Sequence, residues 1–180
     1  MSHHSLERHH VASLAGALAV SALMLTANPQ HWWAADVAYI VPATLASGID
    51  LTTHRIPTRL VYPASALLTS VIALTSVLTS HPATLLVSVL AGAATMAGWY
   101  LFALLTGGLG MGDVRLALLC GIYAGSRGWD AAALSPVLAI FIGGVAAIVF
   151  KLIWPARTHL PYGPSLALGA LIAAVVVDMA

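Results

Sequence analysis

Charge is what this chain has least of. Lys, Arg, Asp and Glu together make up 7% of its 180 residues, against roughly 25% in a soluble domain. The formal net charge is only +1, and the bases stand singly, so there is no cationic stripe for a nucleic acid to follow. Nucleic acid is therefore excluded as a partner. Cysteine occurs once, at Cys120, which rules out a disulfide framework and a Cys-based zinc site. A lone apolar-flanked cysteine of this kind reads as a small core side chain.

In place of charge there is apolar sequence: 60% of the residues are hydrophobic and the mean hydropathy is +0.94. This composition describes an integral membrane protein. At about 20 residues per span there is room for six or seven helices with short loops and none for a soluble domain. The expected fold is all-α, a polytopic transmembrane helix bundle forming one domain over residues 1–180. The first apolar segment lacks a signal-peptide cleavage site and is followed by further spans, so it reads as a transmembrane helix. Residues 1–10 before it, with His3, His4, His9 and His10, read as a solvated cytoplasmic tail.

Apolar runs and turn residues predict seven spans, at about 11 to 27, 33 to 50, 60 to 79, 82 to 105, 113 to 126, 131 to 153 and 163 to 179. The breaks carry Asn28-Pro29-Gln30, His81-Pro82, the glycine run from Gly107 to Gly112, Gly125-Ser126-Arg127-Gly128 and Pro161-Tyr162-Gly163-Pro164, all strong turn formers. Lys and Arg accumulate on the cytoplasmic side of a membrane protein. With the N-terminus inside, Arg8, Arg55, Arg59, Arg115, Lys151 and Arg157 fall on the cytoplasmic face and Arg127 alone falls outside. Trp32, Trp33 and Trp129 then lie at the outer interface, where indole rings anchor, and Asp178 also ends outside. Small residues at four-residue spacing, Ala94 with Gly98, Gly143 with Ala147 and Gly169 with Ala173, mark candidate sites of close helix approach.

Two acids stand out in this setting, Asp50 and Asp113, 63 positions apart (113 − 50). An acid within an apolar segment is costly unless paired, hydrated or used, and so is a functional candidate. The topology places both on the cytoplasmic face, although the spans were drawn from hydropathy and turns alone. Asp50 closes the second span and is followed by Ile56-Pro57, where proline sets the start of the next helix. Asp113 follows Gly107-Gly108-Leu109-Gly110-Met111-Gly112, a glycine run that permits positive φ or close backbone approach. It opens the fifth helix, where unpaired N–H groups favour an ionised acid. Taken singly, Asp50 reads as an interfacial acid paired to Arg55 or Arg59, and Asp113 as a helix-start acid. Together they suit an aspartyl hydrolase, because carboxylates about 3 Å apart cannot both ionise and one therefore keeps a proton. The ionised acid can then take a proton from water while the other donates one.

Gly110-Met111-Gly112-Asp113-Val114-Arg115-Leu116 resembles the Gly-x-Gly-Asp signature of the type IV prepilin leader peptidases. Asp50 with its downstream Ile56-Pro57 is similar to that family's first acid motif. Leu160-Pro161-Tyr162-Gly163-Pro164-Ser165-Leu166-Ala167 resembles its late Ile-Pro-Phe-Gly-Pro segment. The resemblance implies a six-span peptidase core plus one N-terminal helix in the bacterial inner membrane, with the active site facing the cytoplasm. It implies removal of a short basic leader from a type IV prepilin, Flp-type prepilin or pseudopilin, with Asp50 and Asp113 catalytic and no metal or organic cofactor. Gly110, Gly112, Ile56, Pro57, Tyr162, Gly163 and Pro164 would shape the site, and lipid would surround it.

Long family members insert a cytoplasmic domain between their first two spans, often carrying Cys-x-x-Cys pairs and linked to methylation of the new N-terminus. Here that connection runs only from Asn28 to Trp32, which argues for cleavage without methylation. The chain looks like the short peptidases found with Flp-type pili. Arg115 stands where Lys is common, with the same charge and a different donor geometry. A presenilin-type protease would show Tyr-Asp and Pro-Ala-Leu, whereas Ile49 precedes Asp50 and Ser165-Leu166 follows Pro164. A small proton-coupled transporter or a non-catalytic assembly subunit remains the alternative from outside the proteases.

Overall fold

The computed structural model describes residues 33–53, 55–106, 110–153 and 162–180. Six α-helices lie within them: α1 (Trp33–Thr53), α2 (Thr58–Leu78), α3 (Pro82–Thr106), α4 (Met111–Gly125), α5 (Trp129–Ile153) and α6 (Gly163–Asp178). No strand occurs among the described residues. Each helix falls within three residues of a span expected from the sequence. The first expected span (11 to 27), the tail before it and the connection to Trp32 lie outside the described residues, as do His54, the 107–109 glycine run and residues 154–161.

The helix ends follow from the local sequence. Pro57 is extended (φ −73°, ψ 123°) and precedes α2, as a fixed φ and a missing N–H dictate. At the far end of α2, Ser80 adopts a left-handed φ of 58° and the His81 N–H closes on the Ser76 carbonyl at 2.9 Å, a Schellman-type stop. Pro82 then opens α3, where its missing donor costs nothing. Gly128, at φ +112°, turns the chain from α4 into α5 in a conformation that glycine adopts without a Cβ clash.

Four helices, α1, α2, α3 and α5, are long and apolar enough to cross a bilayer. The other two are shorter. At 1.5 Å per residue, the 15 residues of α4 and 16 of α6 span about 22 to 24 Å, less than the roughly 30 Å hydrocarbon core. They occupy the inside of the bundle. Ten residues of α4 are buried, and the helix packs against each of the other five, as a helix apolar on every side must. Leu74, Val77, Leu86, Leu104, Phe141 and Leu152 point outward from α2, α3 and α5. That surface suits a hydrocarbon surrounding, and the chain is a membrane protein.

Gly121 and Gly125 of α4, four residues apart, make a close helix contact against α3. A Cβ at 121 would stand 2.8 Å from the Ala91 carbonyl oxygen, and one at 125 would stand 2.6 Å from the Ala91 Cβ. Only a bare backbone fits. Of the pairs expected from sequence, Gly169 does bring α6 against α5, its position 2.6 Å from the Ala139 nitrogen when a Cβ is added. Gly143 makes room for the Tyr162 ring instead of a helix. The expectation for Ala94 with Gly98 is corrected: nothing lies within 4 Å of a Cβ at 98, and both residues line an open apolar groove of about 450 Å³ between α3 and α5. The two helices diverge there because each packs on α4. Gly125→Val is accordingly expected to destabilise the bundle by about 1–3 kcal/mol, the usual cost of overpacking. Thermal unfolding in detergent measures it, with Gly98→Ala as the control that leaves the midpoint unchanged.

Candidate active site

Asp50 sits in the last turn of α1 and is only 5% exposed. Its Oδ2 accepts the Gly163 N–H at 3.0 Å. Gly163 is the first residue of α6, so this donor is one of the N-terminal amides without a partner inside the helix, at the end whose dipole favours an anion. Pro164 occupies the first turn beside it and needs no such partner. The requirement for glycine is steric: a Cβ at 163 would stand 2.9 Å from Asp50 Oδ2 and 3.3 Å from Ile56 Cδ1.

Asp113 is half-buried in the first turn of α4. Its Oδ2 accepts the Gly110 N–H at 3.2 Å, the return bond of an acid at the third helical position to the residue before the helix. Asp113 is thus a helix-start acid, and more: the charge of Asp50 acts on it. The two carboxyls share one end of the bundle and one electrostatic environment. Each has an oxygen held by a backbone N–H.

Ile56 joins the two halves. It is buried between the glycine at 163 and the glycine at 112, where a Cβ would stand 3.0 Å from Ile56 Cβ and 3.2 Å from its backbone nitrogen. The first turn of α4 therefore lies directly on the chain leading into α2. Arg115 fastens the same junction, donating from Nη1 to Thr58 Oγ1 at 2.8 Å. Arg55 and Arg59 are exposed. Gly110 has an ordinary extended backbone (φ −72°, ψ 145°), so positive φ is not what this position requires. At Gly112 it is space.

Tyr162 precedes α6 and leaves the helix axis to pack its ring edge-on to Trp99, with centroids 5.7 Å apart. It crosses Gly143, where a Cβ would stand 2.5 Å from the ring. Burial, and then the negative charge of Asp113, hold its phenol above the usual tyrosine range, so its hydroxyl stays neutral and able to donate. Of the nine residues singled out by sequence, Asp50, Ile56, Gly112 and Gly163 lie against one another, Asp113 holds Gly110, Pro57 and Pro164 adjoin them in the chain, and the Tyr162 ring turns onto Trp99 and Gly143. Among the described residues, no three or more His, Cys, Asp and Glu side chains gather as metal ligands would.

A second polar cluster lies at the opposite end of the bundle, where sequence motifs gave no sign of it. Asp36, 1% exposed in the first turn of α1, accepts the Tyr123 hydroxyl at 2.8 Å and pairs with Arg127. Arg127 also reaches Asp178 at 3.5 Å. Next to it, Tyr39 stacks on Tyr123 at 3.9 Å and donates to the Ala167 carbonyl at 2.9 Å, with Cys120 buried at 3.5 Å from its hydroxyl. The available signal was charge arithmetic: the topology expected from sequence leaves Arg127 as the one outer base, and Asp36 and Asp178 fall at the same end.

What these observations define is a helical membrane protein with two acids at one end of the bundle, linked through the contacts of Ile56 with Gly112 and Gly163. Residues 37–152 match the type IV leader peptidase family, and the chain belongs to that family of proteases. Both Asp50 and Asp113 lie inside the matched region. The Tyr162-Gly163-Pro164 segment lies beyond it and is joined to it by the Gly163–Asp50 bond. No curated protein and no solved structure matches the chain.

Proposed function

We propose that this protein is an aspartyl endopeptidase of the bacterial inner membrane that removes the short basic leader from a type IV prepilin, Flp-type prepilin or pseudopilin. Asp50 and Asp113 are its catalytic acids. The observation that carries the reading is the Gly163 N–H bond to a buried Asp50, alongside the charge coupling to Asp113. With the packing of Ile56 on Gly112 and Gly163, it brings together an acid, the glycine before the second acid and a late proline turn that are far apart in sequence.

The chemistry follows from two carboxyls that share a proton. The ionised acid takes a proton from water as the water oxygen attacks the scissile carbonyl carbon, and the other acid gives its proton to the carbonyl oxygen. Collapse of the tetrahedral intermediate breaks the C–N bond: one hydroxyl returns its proton to the pair as the carbonyl re-forms, and the leaving amine takes a proton from the pair. The proton belongs to the pair, so neither acid is assigned a fixed role. A site at one end of the bundle, facing the cytoplasm with the N-terminus on that side, lets the substrate's apolar helix stay in lipid while its polar leader enters from water. Gly110 and Gly112 leave room for a substrate backbone and for a small residue at the cleavage point. The short connection from Asn28 to Trp32 argues against methylation of the product.

The test is cleavage of candidate prepilins by the purified protein in lipid, read by mass spectrometry of the new N-terminus. A single cut after the leader is expected. An intact prepilin in every case would favour a non-catalytic assembly subunit, and acid-dependent proton flux in liposomes would favour a transporter.

A further inference from the structure

The Asp36 cluster joins three of the helices at the candidate active site, α1, α4 and α6, at their other ends. Asp36 precedes Asp50 on α1 by 14 residues, Arg127 follows Asp113 by 14 and Asp178 follows Gly163 by 15. Arg127 lies just past α4, and the turn continues through it: its N–H bonds the Ala124 carbonyl at 3.0 Å. At 1.5 Å per residue, all three segments are rods of about 21 to 23 Å running from the charged cluster to the site. Between them Tyr39 of α1 ties the same helices again, through the Tyr123 ring of α4 and the Ala167 carbonyl of α6.

Three rods of matched length, pinned at one end by directional polar contacts, have only one relative register at the other. Apolar packing alone tolerates slippage and rotation. Buried ion pairs add little net stability, because desolvating the charges offsets their attraction, and their best-attested use is to fix register. A slip of one residue in any rod moves its far end by about 1.5 Å and turns it by about 100°, enough to remove a carboxyl from a productive geometry.

We infer that Arg127, held between Asp36 and Asp178, is a positioning residue: the clasp sets the register in which Asp50, Asp113 and Gly163 meet. The inference rests on the proposed peptidase reading for its kinetic consequence but not for its geometric one. Arg127 touches no reacting atom and acts through α1, α4 and α6.

The experiment uses the full chain in nanodiscs, with Arg127→Gln and Arg127→Lys compared with the native sequence. Two readings are taken: kcat and KM on a cognate prepilin, and spin–spin broadening between nitroxides at Leu51 and Met111, exposed sites beside the two acids, in a Cys120→Ala background. In folded Arg127→Gln, kcat falls more than tenfold with KM within twofold, and the coupling between labels broadens into a wider distribution. Arg127→Lys, which keeps the charge, recovers part of both. If Arg127→Gln fails to fold, Asp178→Asn, which loosens one arm at the cluster's exposed edge, gives a smaller change in the same direction. A folded Arg127→Gln, or in its place a folded Asp178→Asn, with native kcat or native label coupling overturns the inference. If the native protein cleaves no prepilin, the peptidase reading fails on that result, and the label coupling alone decides for or against the clasp.

Discussion

Asp50→Asn and Asp113→Asn are each expected to lower prepilin cleavage by about 10³-fold, within the range that positioned acids and bases contribute, while leaving the bundle folded. The substitution isolates chemistry from architecture. An Asn at 50 still offers an amide oxygen to the Gly163 N–H, which Asp50 now accepts at 3.0 Å. An Asn at 113 still offers one to the Gly110 N–H. Both helix starts keep their backbone partners, so unfolding profiles in detergent should stay near native. What is lost is a group able to carry and surrender a proton, and with it the negative charge that each acid imposes on the other. Product appearance by mass spectrometry, with thermal unfolding measured in parallel, separates the two effects. Cleavage near the native rate by either folded variant would mean that the acid concerned is the structural residue it resembles when viewed singly.

Gly163→Val is expected to reduce kcat by about 10²-fold, the scale of a displacement near 1 Å at a catalytic group. Even the first added carbon would stand 2.9 Å from Asp50 Oδ2 and 3.3 Å from Asp50 Cβ. Asp50 is short and buried in the last turn of α1, so it has no flexible end to swing aside. The carboxyl or the start of α6 must move, and either shift breaks the relation of Asp50 to its N–H donor. KM should change little, because the proposed reading leaves the substrate's apolar helix in lipid, away from Asp50. Gly144→Ala is the matched control, because a Cβ there meets nothing within 4 Å and activity should be native. A Gly163→Val protein with native kcat would show that Asp50 does not depend on this contact.

The helices were legible because each boundary has a local cause. Pro57, Pro82, Gly128 and Pro164 act on the residues next to them, so their effects are written in sequence order. The nine candidate residues stood out for a different reason: they fall in short motifs whose spacing survives in the linear chain. The fold turns that list into a junction, with Ile56 lying between two glycines that sequence placed 51 positions apart (163 − 112).

What sequence did not disclose depends on helix rotation, which apolar periodicity leaves undetermined in membrane helices. Gly98 and Gly125 each have a small residue four positions before them, Ala94 and Gly121. The one pair lines an open groove and the other meets a neighbouring backbone. Gly121 and Gly125 are hidden because α4 is apolar on all sides and so has no favoured face. Arg127 illustrates the same limit. Charge asymmetry treats it as an exception to a topological rule, whereas in the fold its side chain is 2% exposed and paired with two acids. A lone base cannot announce partners 91 residues before it and 51 after it.

The central claim is that Asp50 and Asp113 work as one unit, and a double-mutant cycle tests it most directly. Cleavage of one prepilin would be measured for Asp50→Asn, Asp113→Asn and the double variant, all shown to be folded. Residues that share a single catalytic task are strongly non-additive. The double variant is therefore expected to be no slower than the slower single one. If each single variant keeps a measurable rate and the double variant falls by the product of the two losses, the acids act independently and the paired site does not exist.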